Sequence, residues 1–137
     1  MEIIKLEEDI LVYFVEAKAF PDNILDAHQT LHQGVSYSKE RRYFGLSRPE
    51  NGTIRYKAAA EKLETDEREG IFFPTMKIPK GKYRSITIKN YMKDIDGIGN
   101  AFAELTSGKD IDPEGYCVEW YFNEEDVNCM IRLKDEG

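Results

Sequence analysis

The chain has 137 residues, with 26 Asp and Glu against 19 Lys and Arg and a formal net charge of −7. One domain is the simplest arrangement at this length, and the acidic balance argues against direct nucleic-acid binding, which needs a basic face. No stretch approaches the length of apolar sequence needed to cross a membrane, and the start MEIIKLEED lacks both the basic and the apolar region of a signal peptide. The expected location is therefore the cytoplasm, where Cys117 and Cys129 are free thiols.

Asp9 to Phe20 (DILVYFVEAKAF) is dense in strand formers, and Pro21-Asp22 ends the run. Ile24, Leu25, His28 and Leu31 then fall at helical spacing, which predicts a short helix over 22–33. RRYFGLS and TIRYKAAAEK are two further strand runs, and Pro49-Glu-Asn-Gly52 between them carries the Asn-Gly signal of a hairpin. Gly81 to Asn90 alternates, with Ile86 and Ile88 on one face and Tyr83, Ser85 and Thr87 on the other. Ile95, Ile98, Phe102 and Leu105 predict an amphipathic helix that starts at Asp94 and that Gly108 can end. GYCVEWYF and DVNCMIRL follow, joined by the polar turn Asn123 to Asp126. Each half thus reads strand, helix, strand, strand. The expected fold is α+β: two β-α-β-β modules, over about 9–63 and about 75–134, forming one concave antiparallel sheet with both helices on its convex face.

A carboxylate stands in the middle of the aromatic run DPEGYCVEWYF: Glu119, between Val118 and Trp120. Glutamate is depleted in strands and rarely buried without a partner. Alternation puts Val118, Trp120 and Phe122 on one face, read as the helix-covered core, and Cys117, Glu119 and Tyr121 on the other. A four-residue turn pairs Phe122 with Val127. Glu119 then lies opposite Met130, on a helix-free face where a cleft can open, and the two cysteines fall on opposite faces.

YFGLS followed by GTIRYKAA, then IPKGKYRS, then DPEGYCVEWYF with its Glu-x-Tyr, resemble in this order the GyrI-like small-molecule-binding domain. That family includes the gyrase-inhibitory protein and the effector-binding domains of multidrug-sensing transcription activators such as BmrR. The resemblance spans roughly Leu11 to Leu133. It implies two β-α-β-β modules with an aromatic-lined cleft between them and a buried glutamate that attracts lipophilic cations. The family's glutamate matches Glu119 and the residue two further on Tyr121; Tyr83, Tyr56 and, more loosely, Tyr43 match its tyrosines. No helix-turn-helix is present, so direct control of transcription is not expected. The segment between the first helix and RRYFG is short for the family, which would open one end of the cleft.

Phe72 and Phe73, beside Pro74, are read as packing residues that can also close the cleft. Two patterns are set aside. The run from Asp110 mimics a calcium loop but has Tyr121 in place of the final glutamate. His28 and His32 are spaced like metal ligands on a helix, yet no third ligand is evident, and a plain helix pair is the simpler reading. No cofactor is implied. The candidate ligand-binding residues are Tyr43, Tyr56, Phe73, Tyr83, Glu119, Tyr121 and Met130. The first expected function is binding of amphipathic aromatic cations. The alternatives are a hydrolase with Glu119 as general acid/base, and an acidic interaction protein whose partner is a protein such as a topoisomerase.

Overall fold

The computed structural model describes residues 1–94 and 96–135. In chain order its elements are β1 (Glu2–Leu6), β2 (Ile10–Glu16), α1 (Ile24–Gly34), β3 (Tyr43–Glu50), β4 (Thr53–Glu61), β5 (Thr75–Ile78), β6 (Gly81–Ile88), α2 (Gly97–Leu105), β7 (Cys117–Trp120) and β8 (Val127–Arg132). Both expected β-α-β-β units are present; Ile95, assigned to the second helix by its spacing, lies outside the described residues. The β3–β4 hairpin turns on Asn51 and Gly52 alone. Both have positive φ (54° and 81°), the conformation a tight hairpin requires and Asn-Gly tolerates best. The sequence reading did not anticipate β1 and β5. Each is too short and too interrupted by charge for a periodic signal.

All eight strands form one antiparallel sheet in the order β1-β6-β8-β7-β3-β4-β2-β5. Its shape follows from connectivity. β5 is at one edge and β6 is next to the other, six strand spacings away, yet only Pro79 and Lys80 join them. In a flat sheet the gap would be about 29 Å, whereas the link reaches at most about 11 Å. The sheet must curl until its ends approach, giving a half-barrel. Arg132 holds the link by donating Nε–H to the Lys80 carbonyl (2.9 Å), and the Tyr83 hydroxyl donates to the Pro79 carbonyl (2.6 Å).

The curl closes the inner, concave face on itself. Val12, Phe44, Leu46, Tyr83, Val118 and Met130 fill it, each at most 2% exposed. Burying side chains of this size contributes about 1.5–3 kcal/mol apiece, which fixes the curvature energetically. The helices cover the outer, convex face: α1 lies on Tyr13, Ala58 and Ala60, and α2 on Val127, Cys129 and Ile131. The expectation of an open concave face is thereby corrected, because a strongly curled sheet brings its own side chains into contact there. Beyond the end of α1, Arg41 donates to both Asp66 oxygens (2.7 and 3.0 Å), and both side chains are 2% exposed. Asp66 also accepts from the Leu63 N–H and the Tyr13 hydroxyl. Among the described residues no helix is long and apolar enough to cross a membrane.

Candidate functional site

The two modules meet where β3 pairs with β7, and there Gly45 stands directly opposite Glu119. On its other side β7 pairs with β8, with Val118 opposite Met130 and Glu119 opposite Cys129. This is one residue away from the expected pairing, and in a strand a one-residue slip exchanges the faces. Glu119 and Tyr121 therefore face the helices, while Val118 and Trp120 face the inner core. The cause lies in the loop. The Asn123 side chain accepts from the N–H groups of Glu125 and Asp126 (2.8 Å each), a side-chain turn that leaves 121–126 outside the ladder. Alternation alone could not reveal the slip, because β7 is buried on both faces: Val118 is 2% and Glu119 8% exposed. Cys117 and Cys129 share the helix face instead of lying on opposite sides, but they are diagonal rather than paired and remain free thiols. Burial, then the nearby Glu119 charge, push their thiols up to about 11 and about 12, so neither is a reactive nucleophile.

Glu119 is held by two phenols. The Tyr56 hydroxyl donates to Oε1 at 3.2 Å, and the Tyr121 hydroxyl donates to the same oxygen. His28 Nε2 lies 2.9 Å from the Tyr56 oxygen, which extends the chain of hydrogen bonds into α1. With the Tyr56 proton on Glu119, His28 is the donor and carries its hydrogen on Nε2. Gly45 makes this closeness feasible. A Cβ there would stand 2.0 Å from the Tyr56 hydroxyl and 2.8 Å from Glu119 Oε1, so no side chain fits. Desolvation raises the Glu119 pKa, and the two phenol hydrogen bonds only partly offset it. Burial, and then the Glu119 charge, raise both phenols. Burial, and then the neighbouring His32, lower His28 to about 4, so it is neutral near pH 7.

A cleft of about 780 Å³ lies over this cluster. Its walls are His28 and His32 of α1 together with Tyr37, Tyr43, Tyr91 and Tyr121. The rings form a continuous surface. Tyr37 stacks on Tyr43 at 5.9 Å, His32 leans on Tyr43, and Tyr121 meets His28 edge-on and Tyr91 at 5.5 Å. Glu119 is one side chain below this floor: Tyr121, which lines the cleft, bonds it directly, and His28 reaches it through Tyr56. Among the described residues no cluster of three His, Cys, Asp or Glu side chains is placed to hold a metal ion.

Of the residues singled out from the sequence, Glu119, Tyr56 and Tyr121 come together, and Tyr43 lines the cleft above them. Tyr83 and Met130 do not join them; both are fully buried on the opposite, inner face. Trp120 also turns inward, toward Phe44. Phe73 packs beneath the end of α1, so tightly that a Cβ on Gly34 would meet its ring at 2.4 Å. Phe72, expected to pack, is 96% exposed. Sequence reasoning missed His28, Gly45, Tyr37 and Tyr91 as site residues. Two signals were visible: a glycine inside a strand run implies a close approach, and the paired histidines lie on one helix face.

Fold and site define an α+β half-barrel that carries two helices on its outer face and a buried carboxyl at the seam between its modules. No protein-family model matches the chain, and no curated protein matches it in sequence. Among solved structures it is similar to the integron cassette protein VCH_CASS2 from the mobile metagenome of Vibrio cholerae. The TM-score is 0.64 at 14% identity, over 97% of this chain and 95% of that one. The likeness is one of fold.

Proposed function

We propose that the chain binds amphipathic aromatic cations in the cleft between α1 and the Tyr91 turn, as a GyrI-like domain of the multidrug-binding type would. The observation that carries this reading is Glu119: a carboxyl nine-tenths buried whose partners are all neutral, beneath a cleft walled by aromatic rings. Such a carboxyl gains most from a cation brought by a ligand, because the low local dielectric strengthens the pair and no protein charge already occupies it. The tyrosine faces add cation–π attraction of about 0.5–2 kcal/mol each. The charged residues lining the cleft, Asp22 and Glu124 against Lys39 and Arg41, balance in sign, so the preference for a cation rests on Glu119 and the aromatic faces.

Thermal shift with cationic xanthene and acridine dyes, each beside a neutral analogue of the same ring system, tests the reading. The cations are expected to stabilise the fold, by about 2.7 kcal/mol at a hundred times Kd, and the neutral analogues far less. Glu119→Gln should remove most of the difference. It should also raise the stability of the ligand-free protein near neutral pH by about 0.5–2 kcal/mol, since it removes a buried charge that has no cationic partner. No response across the cation panel would overturn the proposal. A carboxyl of raised pKa between two phenols is also what a general acid needs, so a hydrolase remains the second reading. Conversion of the bound compound, followed by mass spectrometry, distinguishes the two.

A further inference from the structure

Neither Glu119 nor Tyr56 lines the cleft; His28 and Tyr121 do, and both are joined to the carboxyl by hydrogen bonds. What a ligand meets on this side therefore depends on where these groups direct their hydrogens. Both phenols donate to Glu119 Oε1, so the Tyr56 oxygen is left to accept, and His28 Nε2, 2.9 Å away, is its donor. A neutral imidazole carries one hydrogen, so Nδ1 is bare and holds a lone pair. Burial, and then His32, keep His28 neutral near pH 7. Nδ1 has no hydrogen-bond partner among the described residues, where Arg41 Nε is the only fully buried side-chain nitrogen or oxygen without one. Nδ1 is therefore not sealed off. The two nitrogens of an imidazole point away from one another. Nε2 points at Tyr56, which is 1% exposed beneath the lining, and Nδ1 points back toward the cleft that His28 borders. The ring is held in this attitude: Tyr56 and Tyr121 each meet it edge-on, and His32 lies nearly parallel to it at 6.5 Å.

We propose, resting on the cation-binding reading above, that His28 selects the ligand by accepting, at Nδ1, a hydrogen bond from an N–H of the cation. The preferred class is then an aromatic amine in its ammonium form, and quaternary ammonium ions are poorer ligands. Glu119 and Tyr56 are positioning residues. They touch no ligand, and they fix the imidazole tautomer that turns a lone pair to the cleft. From ligand to carboxyl the hydrogen bonds run in one direction: ligand N–H to Nδ1, Nε2–H to Tyr56, Tyr56 O–H to Glu119. Bonds aligned in this way polarise one another, so each strengthens the rest. A quaternary nitrogen has no N–H and meets only ring faces, whose cation–π attraction serves both classes alike. A ligand carboxylate or carbonyl finds no donor in His28, Tyr56 or Tyr121, because their hydrogens are directed inward. Size does not separate amine from quaternary ion, because one added methyl is small against a cleft of about 780 Å³.

Two measurements on the intact protein near pH 7 test this. Long-range proton–nitrogen NMR of the ligand-free protein should show His28 with its hydrogen on Nε2 and none on Nδ1. Calorimetric titration with N,N-dimethyl-1-naphthylmethylamine and with its N-methyl quaternary salt should find the amine bound at least about fivefold more tightly. In His28→Phe, with folding checked by circular dichroism, the ratio should fall to within about twofold, because the ring remains and the acceptor is gone. The two measurements on the natural protein decide the matter if that variant does not fold. A hydrogen on Nδ1, a ratio below about fivefold, or a ratio unchanged in His28→Phe overturns this inference and, where both compounds bind, leaves the cation-binding reading standing. Binding of neither compound overturns both.

Discussion

Replacing Gly45 by alanine puts a methyl group where the Tyr56 hydroxyl already is. The added Cβ would stand 2.0 Å from that oxygen, 2.8 Å from Tyr56 Cζ and 2.8 Å from Glu119 Oε1. Contact distances of carbon with oxygen are well above 3 Å, so a shift of more than about 1 Å is needed. Tyr56 is 1% exposed and bonded on both sides, to His28 and to Glu119, so it has nowhere to move without breaking a hydrogen bond. Overpacking of this kind costs about 1–3 kcal/mol, and a lost buried hydrogen bond adds about 1 kcal/mol. We expect Gly45→Ala to destabilise by about 2–4 kcal/mol in urea unfolding. The decisive assay is the double-mutant cycle with Tyr56→Phe. Without the hydroxyl the nearest clash is gone, so the cost of the alanine should fall by at least about 1 kcal/mol. An alanine tolerated within about 0.5 kcal/mol, or a cost unchanged in the phenylalanine background, would refute this account of the seam.

His28, at about 4 in the fold against 6.5 unfolded, makes stability depend on acidity. Between those values the unfolded chain binds the extra proton, so the contribution is whole above pH 6.5 and is lost as pH falls toward 4, by at most about 3 kcal/mol. The raised pKa of Glu119 acts in the opposite sense, its penalty growing as pH rises through its folded value. In His28→Gln, which cannot titrate, the stability curve over this window should be flatter than in the natural protein, and parallel curves would count against a buried neutral imidazole. Asp66 is the sole carboxylate bonded to the buried guanidinium of Arg41 among the described residues, and that guanidinium, acting first, holds its pKa down at about 2. Asp66→Ala should cost about 3–5 kcal/mol by leaving Arg41 uncompensated, while Asp66→Leu with Arg41→Met should recover most of it. A cost under about 1 kcal/mol in chemical denaturation would show that water reaches the pair.

Much of the architecture was legible along the chain. Periods of two and of three to four residues marked both helices and six of the eight strands, and Asn51-Gly52 marked its hairpin, because each of these depends on neighbours in sequence. The odd charge at Glu119 and its neighbour Tyr121 were also visible as residues out of keeping with their run. What the sequence could not supply was the side of the sheet on which they lie. That was decided by the six-residue loop after β7, closed by the Asn123 side chain, and by a sheet buried on both faces, where alternation loses its meaning. The curl was likewise a tertiary matter: the two-residue Pro79-Lys80 link forces it only once the strand order is known. Curling filled the inner face with Tyr83 and Met130 and left the cleft outside, between α1 and the Tyr91 turn. There His28 and Gly45, unremarkable in sequence, become the neighbours of the buried carboxyl, because the contacts that define them span most of the chain.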